Sequence, residues 1–478
     1  MGRLILSLNN PLFELPHRVG LQGIAKLLDY CDRTQCLTDL PIKWDILSTQ
    51  IDIIWDCDDV DFFTAIQGQA YQLKDGEIDS PCLELSSEER YFFSQGILNS
   101  CLQHNTHRKF TELKQDREFP IDGESVPIKK TTRELASYVN TSIPSNVFKK
   151  GKFLNQIPLK SNHLPGLIAE ANGNGTYLGT VEEFLTLYFL PLATPIYPLP
   201  MDSGGSRVAV CFLDTRDLLD SLKMNILRAF MESTVTSASD ACLRVLNKNL
   251  HLDVYNLTHE VFTLGAQPWN SRQKFLKQSV TRVFACPMAL ETYNTFLGLL
   301  SPQYRIKTIK DKEGERQQAF VSGSELLGYL AENLINGKPW HYKLGEYLFT
   351  EKYFEKETLI KMVKSHGDTD YKTFQGLIQS AYSEYMNKVV AKQFHRHYGK
   401  NRTKLIYSLN TPRNKRTFSK AFTQFLVISE LINQDEKALE LITDLIETDW
   451  HKAKDWALQA ILLFVPPTTE NPTGIINE

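Results

Sequence analysis

The sequence predicts an α+β fold, with a mixed N-terminal region of short strands and helices followed by a C-terminal helical bundle. Two patterns carry this. Strand-like alternation and helical periodicity interleave up to about residue 323, and from Ser324 onward the apolar spacing is almost wholly helical. The chain has 478 residues, 42% hydrophobic and 23% charged, which is the balance of a globular protein long enough for several domains. The expected division is 1–200 and 201–323, both α+β, then a helical 324–465 and a disordered tail at 466–478.

Leu4, Leu6 and Leu8 alternate with polar neighbours, which predicts a first strand with one buried face. Leu21, Ile24, Leu27 and Leu28 then recur at helical spacing between His17 and Tyr30. Strands are expected at Gln50 to Trp55 and around Tyr71 to Leu73, and helices at Glu88 to Cys101, Thr131 to Tyr138 and Val181 to Phe189. Prolines and glycines make 195–205 (PIYPLPMDSGG) a candidate linker. A buried strand at Arg207 to Leu213 and a helix at Thr215 to Ala229 should follow. Gln303 to Ile309 and Gln317 to Val321, separated by a charged turn, read as a hairpin. Tyr382 to Tyr398 and Ser419 to Phe464 stand out as helical pieces, the latter as several helices.

Catalytic and cofactor signatures are missing. The sequence has no phosphate-cradling Gly-x-x-x-x-Gly-Lys-Ser/Thr loop, no His-Glu-x-x-His helix and no Gly-x-Ser-x-Gly elbow. No pair among the eight cysteines is spaced Cys-x-x-Cys, so free thiols in a reducing cytoplasm are expected, with no metal and no cofactor. Asp56, Asp58, Asp59 and Asp61 could suggest a two-metal nuclease, but a solvated acidic turn is the plainer reading. The longest apolar run, Phe184 to Leu192, is far short of a membrane span, and the N-terminus reads as a strand rather than a signal peptide.

The net charge of −3 conceals an uneven distribution. Residues 1–100 carry −9 and 429–478 carry −7, whereas 101–160 carry +5 and 361–428 carry +10. A polyanion is repelled by the first pair and drawn to the second. In the first basic stretch, Lys129, Lys130, Arg133, Lys149, Lys150 and Lys152 lie among loop signals. Phe148 and Phe153 stand beside the Lys-Lys-Gly-Lys turn as candidate wedges or stacking platforms. Asn172 and Asn174, in ANGNG, either read base edges or sit on a polar surface turn. The second stretch is denser: Lys388, Lys392, Arg396, Lys400, Arg402, Lys404, Arg413, Lys415, Arg416 and Lys420, interleaved with Phe394, Tyr398, Tyr407 and Phe418. Lys388, Lys392 and Arg396 are spaced by four and should form one helical stripe. No Asp or Glu occurs between Glu384 and Glu430, so nothing local balances these cations, which points to nucleic-acid contact.

The opening LSLNNPLFELPHRVGLQGIAKLLDY, with His17, Arg18, Val19, Gly20, Leu21 and Gly23 leading into an apolar helix, resembles the large subunit of type I CRISPR effector complexes, in the MYXAN-type group. Val19 stands where that family has Ala, and the middle of the chain cannot be matched residue by residue. The resemblance implies a non-catalytic subunit that recognises a protospacer-adjacent motif in duplex DNA, helps open it and stabilises the R-loop. It implies crRNA, target double-stranded DNA, and backbone and guide-processing CRISPR subunits as partners. It implies a small-subunit-like C-terminal part, and in transposon-encoded relatives a link to transposition proteins. His17 and Arg18 are expected to anchor the first helix, with Gly20 and Gly23 allowing close packing, rather than to touch nucleic acid. Met362 is either an ordinary internal methionine or the start of a separate C-terminal small protein. The rival classes are a metal-dependent nuclease and a helical adaptor that binds only protein.

Overall fold

The computed structural model describes residues 2–102, 107–121, 123–139, 146–159, 177–199, 207–225, 234–254, 258–270, 273–283, 286–300, 303–311, 314–350, 356–391, 398–430 and 436–465. The chain forms two compact units, Met1–Gly337 and Lys338–Glu478. The first is mixed α/β and the second helical, as the periodicity predicts. No described helix is long and apolar enough to cross a membrane.

In the first unit, β1 (Gly2–Ser7), β2 (Ile42–Ile46) and β3 (Gln50–Trp55) form an antiparallel sheet in the order β1-β3-β2. Leu4 opposite Ile53 and Leu6 opposite Ile51 turn inward, where α1 (Leu15–Thr34) buries Leu21, Ile24, Leu27 and Leu28. Next come α2 (Asp59–Ala70), the short hairpin β4 (Gln72–Lys74) and β5 (Glu77–Asp79), and α3 (Ser87–Asn99). Helix α3 opens with a reciprocal cap between Ser86 and Glu89, a signature that fixes helix starts. The acidic run is not a free turn: Asp58 is the N-cap of α2, and Asp59 and Asp61 lie in its first turn. Carboxylates there complement the positive end of the helix.

Strands β6 (Arg108–Phe119) and β7 (Ile128–Tyr138) follow as a long antiparallel hairpin. Thr131 to Tyr138, expected as a helix, is therefore a strand. Strand β7 ladders with β6, and the Leu135 amide donates to the Gly76 carbonyl at 2.8 Å. Two short pairs come next: β8 (Phe148–Lys149) with β9 (Lys152–Phe153), and β10 (Ile157–Leu159) with β11 (Tyr177–Gly179). Helix α4 (Val181–Phe189) then packs on α1.

Ile196–Leu199, expected in a linker, is the strand β12, paired with β13 (Arg207–Asp214). Its Pro198 is tolerated because β12 is the edge of the sheet β12-β13-β14-β15. The helix foreseen over 215–229 is only α5 (Leu218–Leu222) among the described residues. Helix α6 (Ala238–Lys248) and the long hairpin β14 (Thr258–Asn270) and β15 (Gln273–Val283) were not foreseen. After α7 (Pro287–Leu299), the expected hairpin is present as β16 (Gln303–Asp311) and β17 (Gly314–Ser322). A single parallel bridge, Ala319 to Ile128, joins it to β7 in the order β16-β17-β7-β6, over a small core of Tyr91, Phe92 and Phe119. Helix α8 (Glu325–Ile335) closes the unit.

The second unit comprises α9 (Leu344–Thr350), α10 (Lys356–His366), α11 (Thr369–Ala391), α12 (Tyr398–Asn410), α13 (Lys415–Ser429) and α14 (Glu436–Leu463), the last kinked at Asp449. Helices α11, α13 and α14 pack together, burying Tyr371, Phe374, Tyr382, Phe422 and Trp456. Met362, expected between helices, is fully buried inside α10. A product beginning there would lose α9 and His341, whose ring stacks on Tyr371 at 3.9 Å. It would also lose the Gly345 and Glu346 amides that donate to Asp455.

Candidate nucleic-acid interface

The motif that opens the chain is architectural. A side chain on Gly20 would collide with the Thr186 carbonyl and one on Gly23 with that of Phe189, so the two glycines let α1 lie directly on the segment containing α4. His17 accepts the Glu14 amide at Nδ1 and stacks on Phe13, and burial lowers its pKa to about 4. Arg18 donates to the buried Asp214 at 2.7 Å and to the Phe13 carbonyl. Both side chains are committed to holding α1.

The Lys-Lys-Gly-Lys segment forms a two-residue hairpin turn, with Lys150 at φ +54° and Gly151 at φ +79°. Positive φ at both central residues is the conformation that matches the twist of the flanking strands. Lys149, Lys150 and Lys152 are all exposed and make no ion pair among the described residues. The two phenylalanines are not free wedges. Their rings meet at 4.8 Å and both pack on Phe63, which is fully buried. The Phe153 amide donates to Asp59, which also accepts from the Trp55 indole. The half-buried aromatics and the start of α2 thus anchor the hairpin, and its cations are its most exposed side chains.

On β7, Lys129 and Arg133 are exposed and lie on the face opposite buried Ile128. Lys129 pairs with Asp116 at 3.1 Å, and Thr131 donates to the same carboxylate. These contacts hold the Asp116 carboxyl below its ordinary range, with Arg316 of β17 contributing. Lys130 is also exposed, opposite Arg117 in the ladder. Arg117 is occupied: with Arg90 it holds the buried Glu77 carboxylate. The sequence reading passed over Lys114, opposite Arg133, and Arg305 and Lys307 on β16, all exposed. The i, i+2 spacing of Arg305 and Lys307 on an expected strand was the signal that could have found them. Asn172 and Asn174 lie outside the described residues.

In the second unit the cations divide into two groups. Lys388 pairs with Glu430 at 2.6 Å, Arg402 donates to the Leu462 carbonyl, and Lys415 pairs with Glu447. Lys400, Lys404, Arg413, Arg416 and Lys420 are exposed and make no ion pair among the described residues. Lys392 and Arg396 fall outside the described residues, so the expected stripe is represented by Lys388 alone.

The architecture is that of an α/β unit and a helical unit, each presenting exposed cations. The chain matches the DevT N-terminal domain over residues 5–188 and the DevT C-terminal domain over residues 367–462. It thus contains both DevT domains in N- to C-terminal order. DevT is a Cascade-associated CRISPR protein, in line with the resemblance carried by the opening motif. No curated protein matches the chain.

Proposed function

We propose that this chain is the large, non-catalytic subunit of a crRNA-guided type I complex, which holds DNA at a protospacer-adjacent motif and stabilises the opened strands. The observation that carries the reading is the hairpin tip, where Lys149, Lys150 and Lys152 are exposed on a turn whose half-buried aromatics pack on buried Phe63. Cations held in place in this way can follow a phosphate backbone with little ordering cost on binding. The cations of α12 and α13 that make no ion pair among the described residues, Lys400, Lys404, Arg416 and Lys420, support the same reading from the second unit. Its partners in this reading are crRNA, duplex DNA, and backbone and guide-processing subunits.

Replacing Lys149, Lys150 and Lys152 together with Ala is expected to flatten the slope of log affinity against log salt by roughly two to three units on duplex DNA. The loss should be equal across motif sequences, because phosphate contacts carry no base information. An unchanged slope removes the hairpin from the DNA path. DNA cleaved by the purified chain with Mg²⁺ would favour a nuclease, and the absence of any salt-dependent affinity for DNA would favour an adaptor that binds only protein.

A further inference from the structure

We infer that the exposed face of α12, centred on Tyr407, stacks against bases of an unpaired nucleic-acid strand while Lys400 and Lys404 bind its phosphates. This rests on the nucleic-acid reading above and adds to it the form of ligand that this face takes. At 100° per residue, Lys400, Lys404 and Tyr407 project within an arc of about 60°. Leu405, Ile406 and Leu409 are buried on the other side of the helix. Tyr407 could have been any polar residue without cost to the core, yet it places an aromatic ring in water, 56% exposed. Phe349 packs edge-on against that ring, with centroids 5.3 Å apart and planes at 85°, so the ring is held in place rather than free to collapse. A fixed, exposed ring beside two lysines has the chemistry of a base-stacking platform.

The surroundings favour a polyanion over other partners. A four-residue turn leads from α12 to α13, bringing Arg413 and Arg416 close in the chain to Tyr407. Arg416 is exposed in the first turn of α13, beside Lys415, which Glu447 already holds, at the end of a helix that carries partial positive charge and has no acidic residue in that turn. An approaching phosphate relieves that repulsion. A duplex keeps its bases stacked inside and offers the ring nothing, whereas an unpaired strand presents the π-face of each base. An acidic peptide would satisfy the cations and leave the tyrosine without a role.

The test uses the full-length chain with a labelled oligothymidylate of about 15 nucleotides, within the span single-strand binders occupy, and a duplex of equal length. Tyr407→Ala should weaken binding of the unpaired strand by about tenfold or more, with the salt slope unchanged and duplex affinity within about twofold. Tyr407→Phe should retain binding, since it keeps the ring. Lys400→Ala with Lys404→Ala should lower the slope on the unpaired strand by about 1.4. If the unaltered chain binds the oligonucleotide and Tyr407→Ala has no effect, or an equal effect on both ligands, the inference is overturned while the broader reading stands. If the unaltered chain binds neither ligand, both are overturned.

Discussion

The Lys149–Lys152 hairpin and the α12 face have nearly the same composition, lysines beside aromatic rings, but they orient it in opposite ways. In the hairpin, Phe148 and Phe153 are half-buried against Phe63, and the lysines are the fully exposed side chains. On α12, Leu405, Ile406 and Leu409 fill the core, and Tyr407 is left outside with the cations. A sequence window shows the same adjacency in both places. What separates them is the register of each element against its neighbours: a two-residue turn puts Phe148 opposite Phe153 on one side, while helical phase puts Tyr407 with Lys400 and Lys404. An aromatic next to a basic run is therefore a platform in one place and an anchor in the other.

The strongest test asks whether the α12 face can exist apart from the first unit. A fragment spanning residues 338–478 is expected to melt cooperatively, followed by circular dichroism. One starting at Met362 should show no cooperative transition, because it lacks Trp340, His341 and α9 and cuts α10 at a buried position. Equal melting of the two fragments would restore Met362 as a workable start for a separate small protein. The next test probes the anchoring role. Phe63→Ala should cost about 3–5 kcal/mol in urea unfolding, whereas Tyr407→Ala should change stability by no more than about 0.5 kcal/mol. Comparable losses at the two sites would erase the distinction.

The smallest expected effect concerns pH and the buried cluster behind α9. Burial pushes the Asp455 carboxyl up to about 7, against the opposing hydrogen bonds from Gly345, Glu346 and Gln459. Folding therefore takes up a proton there. The stabilising contribution is complete below the unfolded value near 4 and is lost as pH rises toward 7. Burial also lowers the His341 pKa to about 4, so the folded ring stays neutral where the unfolded one is charged. Its contribution has the opposite sign, growing as pH rises from 4 through the ordinary histidine value of 6.5. Gln459 links the two, donating to the His341 carbonyl and to Asp455. Because His17 of the first unit is shifted in the same direction as His341, the test uses the 338–478 fragment, whose stability should change little between pH 4 and 6.5. Its stability should rise with pH in Asp455→Asn and fall with pH in His341→Phe, each by up to about 1.4 kcal/mol per unit. Parallel profiles for the two variants would show that the groups do not titrate in this way.

Elements whose apolar residues follow one period were legible from sequence: β1, α1, β3, α3, α4, β13 and the helices after Ser324. Strand β6 was not, because RKFTELKQDREF carries almost no apolar alternation and is held mainly by its ladder to β7. The 131–138 stretch misled for the same reason, since its pairing is with a strand that shows no pattern of its own. The acidic run before α2 was visible, but its role as cap and as acceptor for Phe153, 94 residues away, is a tertiary fact. The cation-rich segments were legible as composition. Which cations remain unpaired depends on distant acids such as Glu447 opposite Lys415.

Lys150 sits in the left-handed region, where glycine or asparagine lies lower in energy than a residue with a long side chain. The fold asks for one kind of residue at that position, and the hairpin tip holds another. Any effort to harden the protein by refitting its turns to their preferred residues would begin at sites like this one and would strip the tip of charge as it went. For this hairpin, a thermostable variant and one that grips a polyanion well are separate design goals, and selection for the first would select against the second.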